Sequence, residues 1–78
     1  MFLPESAAMY TRALTYAGHV RRFSIREAEG DGWEVREEQD SQVVRRARLT
    51  DWHRVESALR AITREVSELE ESGWVGVA

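Results

Sequence analysis

The chain has 78 residues, eleven basic against fourteen acidic side chains, a net charge of −3 and no cysteine. At this length one core supplies only about 3 to 5 kcal/mol, so packing against another subunit is an expected reinforcement. The missing cysteine excludes a disulfide framework and a thiolate metal site. The opening Met1-Phe2-Leu3-Pro4-Glu5 has neither a basic start nor an apolar run. No stretch approaches the roughly 18 apolar residues of a membrane span, so the expected setting is cytoplasmic, without membrane contact.

Residues 1–18 form an N-terminal arm that admits two readings. Leu3, Ala7, Tyr10, Leu14 and Ala17 recur at four and three, with Pro4 at a first helical position and Gly18 at a stop, which is a short helix. Thr11, Thr15, Tyr10 and Tyr16 are strand formers, and with a turn at Ala17-Gly18-His19 they make residues 10–16 a strand carrying Tyr10, Arg12, Leu14 and Tyr16 on one side. The strand, beginning near Tyr10, is the preferred reading.

Residues 19–49 carry period-two alternation. Phe23 and Ile25 alternate with Arg22, Ser24 and Arg26; after Glu29-Gly30-Asp31-Gly32, Trp33 and Val35 alternate with Glu34, Arg36 and Glu38. A second turn at Asp40-Ser41 leads into a strand through Leu49. The register that gathers apolar residues on one face sets Ile25 opposite Val35, Trp33 opposite Leu49 and Val35 opposite Ala47. It also aligns Arg26, Glu34 and Arg48 on the other face, with Glu38 opposite Arg22, as favourable cross-strand pairs require. Arg21, Glu27, Glu37 and Arg45 fall at the strand ends of the inner face, where wet rims are expected.

Residues 50–72 are a C-terminal amphipathic helix. Trp52, Val55, Leu59, Ile62, Val66 and Leu69 stand three and four apart between a cap at Thr50-Asp51 and a stop at Gly73. At 1.5 Å per residue the helix is roughly 33 Å long, more than a strand of seven or eight residues at about 3.3 Å each. Its last turns, with Val66, Leu69 and Trp74, therefore overhang the sheet and need cover from the N-terminal segment or another subunit. Residues 73–78 are a tail. The expected fold is α+β, a single domain over 1–78: a three- or four-stranded antiparallel meander sheet with one long helix packed on one face.

The surfaces suggest binding. The outer sheet face presents Arg22, Arg26, Arg36, Arg46 and Arg48, with Ser24 and Val44, against Glu34 and Glu38. It reads either as a nucleic-acid or anion face or as a solvated ladder of weak ion pairs. No aromatic residue stands on it for a base to stack upon. All eleven basic residues are arginine, and asparagine is absent too. Arginine grips phosphate in a bidentate fork, although loss of lysine and asparagine together also follows from GC-rich codon usage. Glu65, Glu68, Glu70 and Glu71 crowd the helix end that the macrodipole already makes negative. Arginines of a neighbouring copy would relieve them in a two-fold dimer. Val66, Leu69 and Trp74 are the candidate protein interface.

Catalytic patterns are lacking. Asp51, His53 and Glu56 lie close on the first helical turns without an HExxH spacing, and no serine sits in a GxSxG elbow. Gly30-Asp31-Gly32 precedes a strand, whereas a phosphate cradle precedes a helix. Trp33 and Trp52 fall on inward faces and are expected in the core. The order of strands followed by one helix resembles, in topology alone, the double-stranded-RNA-binding fold. Thr50-Asp51-Trp52-His53-Arg54 stands where that fold needs a basic cluster, so no functional residue carries over. The expectation is a non-enzymatic, cofactor-free binding or assembly module. It is expected to self-associate as a homodimer and to contact a protein partner, with nucleic-acid binding through the arginine face as the alternative.

Overall fold

The computed structural model describes residues 8–77, so the start of the arm, residues 1–7, lies outside the described residues. Four strands, β1 (Ala8–Tyr16), β2 (His19–Glu27), β3 (Trp33–Gln39) and β4 (Gln42–Leu49), precede helix α1 (Trp52–Glu71), and a short β5 (Val75–Gly76) follows it. They form one antiparallel sheet in the order β4-β3-β2-β1-β5 with α1 packed against it.

Turn chemistry explains the meander. Ala17 and Gly18 take φ of 51° and 81°, and Asp40 and Ser41 take 51° and 71°, as two-residue hairpin turns that match strand twist require. The strand reading of residues 10–16 therefore holds, with Ala17-Gly18 as its turn. Asp40 is tied further by Val20 N–H and His19 Nδ1, at 2.9 and 3.0 Å. The Val20 N–H first, then the histidine, holds its carboxyl below the usual range.

Ile25 pairs with Val35, Val35 with Ala47, and Trp33 with Leu49, the register that the apolar residues demand. A bulge is needed to achieve it. The two-residue Asp40-Ser41 turn sets Gln39 opposite Gln42 and Glu38 opposite Val43, a register that would carry Val35 to Arg46. One extra residue, Val44, shifts Glu37 to Arg45 and restores Ala47 to Val35. Val44 is thus the bulge residue, and Val43 takes the place beside Glu38.

The core contains Leu14, Phe23 and Ile25 from the sheet and Val55, Ile62 and Val66 from α1, bordered by Tyr10, Trp33, Val35, Leu49, Leu59, Leu69 and Trp74. Asp51 caps α1 by accepting from His53 N–H at 2.9 Å. Gly73, at φ 109°, turns the chain back. Trp74 N–H donates to Leu69 C=O, and β5 joins the edge of β1 through Thr15 and Leu14.

Two expectations change, one at the start of α1 and one on the inner rim of β3. Trp52 is 46% exposed: as the first helical residue it lies at the sheet margin and packs on Trp33 at 5.2 Å between ring centroids. The inner rim is not wet where Glu37 stands. That carboxylate is 4% exposed and is closed over by Arg21, Gln39 and Arg45. Among the described residues no helix is long and apolar enough to cross a membrane.

Candidate functional site

The outer sheet face is built by strand alternation. Cross-strand rows run Ala13, Arg22, Glu38, Val43, then Thr11, Ser24, Arg36, Arg46, then Arg26, Glu34, Arg48. All five arginines of the candidate anion face therefore share this side. Their partners differ. Arg36 stands directly opposite Arg46, a like-charge pair that Glu34 bridges, with Oε1 2.8 Å from Arg36 Nη2 and Oε2 3.4 Å from Arg46 Nε. Arg48 Nη2 donates to the carbonyls of Glu29 and Asp31, at 3.1 and 2.7 Å, and so pins the loop between β2 and β3. Among the described residues Arg22 and Arg26 make no ion pair; Glu38, although opposite Arg22, stays beyond pairing distance.

Between Arg22 and Arg26 the hydroxyl residue Ser24 is only 2% exposed, although it belongs to the polar face. It stands in the middle of the sheet, with Thr11 of β1 and Arg36 of β3 as its cross-strand neighbours. Arg26 Nε and Arg36 Nε are buried N–H donors without acceptors among the described residues. A depression of about 390 Å³ opens here, lined in part by Thr11, Arg22, Ser24, Arg26 and Val77. Arg22 and Arg26, without ion pairs among the described residues, together with Thr11 and Ser24 make this recess rich in hydrogen-bond donors. Alternation alone located the five arginines. The burial of Ser24 and the freedom of Arg22 and Arg26 depend on how the side chains lie across the strands.

A second surface lies on the inner side. Beside α1, toward β4, a largely apolar groove of about 350 Å³ remains. Its floor is Val35, Ala47 and Leu49, and its helix wall includes Arg54, Ala58, Ala61 and Glu65. Strand β4 is the sheet edge, and Gln42 to Arg48 are all exposed. The chain patterns of strand and helix did not reveal this groove, because it arises where the two fail to cover each other.

The predicted protein interface is largely used within the chain. Val66 is 6% exposed in the core, Leu69 packs against it, and Trp74 is half-buried on Tyr16 with ring centroids 5.7 Å apart. Arg21 lies over both Phe23 and Trp74, at 5.4 and 5.8 Å from the ring centres. The helix end is thus covered by β1, β2 and the returning tail. Near the other end, His53 Nδ1 is 3.5 Å from Glu56 Oε1, both largely solvated. No group of three or more metal-binding side chains converges among the described residues.

The chain matches no family model, no curated protein and no solved structure.

Proposed function

We propose that this chain is a non-enzymatic binding and assembly module of the cytoplasm, acting by self-association and contact with a protein partner. The observation that supports this reading is the groove beside α1. Its apolar floor of Val35, Ala47 and Leu49 borders an edge strand whose backbone and side chains are open to a partner. Sedimentation velocity across a series from micromolar to near-millimolar concentration tests it. A mass that rises with concentration supports the reading, and a monomer throughout removes it.

A second reading, binding of an anionic ligand such as a nucleic-acid backbone, is favoured by Arg22 and Arg26, which have no ion pair among the described residues and stand on either side of Ser24. Phosphate contacts release counterions, so affinity for a labelled single-stranded oligonucleotide would fall steeply with salt. Fluorescence anisotropy of wild type against an Arg22→Gln, Arg26→Gln variant measures it. Equal binding by both proteins rules this recess out as the site.

A further inference from the structure

Ile25, Val35 and Ala47 form one cross-strand row on the inner face of the sheet. Along it burial falls from complete at Ile25 to partial at Val35, and Ala47 is exposed. The cover that α1 gives thus ends before β4, and the floor of the groove runs on past the helix to the sheet edge.

Among the described residues no strand lies beyond β4. Past the bulge, Arg45 to Leu49 pair in regular register with Glu37 to Trp33, so this stretch is a straight template on its open side. An edge strand leaves the N–H and C=O groups of that side free to pair with a further strand. A strand added there would set alternate side chains beside Ala47 and the open side of the groove, and the others beside Arg46 and Arg48 on the outer face.

The charge of this edge has one sign. It carries Arg45, Arg46 and Arg48 with no acidic residue between them, and Arg54 stands on the helix wall. Glu34 and Glu37 lie closer to Arg36 and Arg21, at 2.8 and 2.6 Å, than to Arg46 and Arg45, at 3.4 and 3.6 Å. Arg48 and Arg54 have no ion pair among the described residues.

We propose that an extended peptide segment of a protein partner, alternating acidic with apolar residues, adds to β4 as a further strand. The proposal rests on the protein-contact part of the reading above and names the chemistry of that partner. Acidic side chains of the segment face Arg46 and Arg48, while its apolar ones cover Ala47 and lean toward Ala58 and Ala61 of the groove wall. A second β4 does not suit this place. Two copies joined edge to edge, antiparallel about Ala47, would set Arg46 of each against Arg48 of the other, and like charges facing across strands are unfavourable. The same arginines therefore discourage self-pairing of the edge and favour an acidic strand.

Fluorescence anisotropy on the full chain tests this with a labelled peptide of about nine residues alternating glutamate and valine, near physiological salt. A control peptide has the same composition with its glutamates gathered at one end. The alternating peptide should bind at least about tenfold more tightly than the control. Arg46→Glu and Ala61→Glu should each weaken its binding at least about fivefold, the first by reversing a facing charge and the second by obstructing the groove. Both residues are exposed, so the circular dichroism spectrum should stay unchanged. Amide hydrogen exchange in residues 45–49 should slow when the peptide is bound. Equal affinity for the two peptides, unchanged affinity in both variants, or binding without slower exchange in 45–49 overturns the proposal, because the glutamates are then held by charge alone. Absence of binding up to about millimolar peptide also overturns it and leaves the arginines as guards of an edge. Sedimentation velocity separates this outcome from the broader reading. A chain that self-associates but ignores the peptide overturns the acidic strand alone, whereas a monomer that binds the peptide supports the strand and removes self-association.

Discussion

Arg21 on β2 and Glu37 on β3 meet at the covered end of the inner sheet face, with Nη2 2.6 Å from Oε2. The same Nη2 donates to Glu65 of α1 at 2.9 Å, so one guanidinium joins two strands to the helix. Burial by itself would raise the Glu37 carboxyl. Hydrogen bonds from Arg21 and Gln39, with the charges of Arg21 and Arg45, outweigh it and hold that carboxyl below its ordinary range.

A depressed folded-state pKa means that the unfolded chain binds the proton more readily. Glu37 therefore contributes stability above its unfolded value near 4.5, and this is lost as the pH falls through the lower folded value. Urea midpoints measured between neutral and acid pH should decline below that point. In Glu37→Gln the decline should be shallower, and at neutral pH the variant should be less stable by about 2 to 4 kcal/mol, since Arg21 loses a buried partner.

Trp74→Ala should lower stability by about 2 to 3 kcal/mol, somewhat less than loss of a fully buried tryptophan, because the ring is half-buried between Tyr16 and Arg21. Thermal unfolding followed by circular dichroism measures this loss.

Two glycine positions should respond differently. Gly32 has φ +88°, and a Cβ there would run into the Leu49 carbonyl oxygen, so Gly32→Ala should cost about 2 kcal/mol or more. Gly18 has φ +81° with nothing within 4 Å of a built Cβ, so Gly18→Ala should cost only about 1 kcal/mol, from backbone conformation alone. Denaturant midpoints at constant slope compare them.

On the outer face, Arg46→Ala should cost less than about 1 kcal/mol, since the pair with Glu34 is solvated and Glu34 retains Arg36. Arg48→Ala should cost more, about 1 to 2 kcal/mol, because it leaves the Glu29 and Asp31 carbonyls without their donor. Amide hydrogen exchange in residues 28–32 should accelerate in the second variant only.

Local patterns carry a large part of this fold. The period of two in β2 and β3 and the three-four spacing of α1 reflect backbone geometry, so the strands, the helix, the Asp51 cap and the Gly73 stop were legible residue by residue. The register was legible as well, since apolar residues such as Ile25 and Val35 must share one face. The bulge at Val44 was not, because a two-residue turn and an odd register are each locally acceptable and only their conflict demands an extra residue.

By itself the sequence determined the order β2, β3, β4, α1 and the gathering of Arg22, Arg26, Arg36, Arg46 and Arg48 on one side, while it left β1 as one of two readings and β5 as a tail. Tertiary structure decided the rest: that Glu37 is dry, that Trp74 closes its own helix end, that Arg22 and Arg26 have no ion pair among the described residues and that α1 leaves a groove beside β4. Each of these depends on where the helix lies across the sheet and on meetings between distant residues, as when Arg12 pairs with Glu70. Periodicity states which way a side chain points, and packing alone determines what it meets.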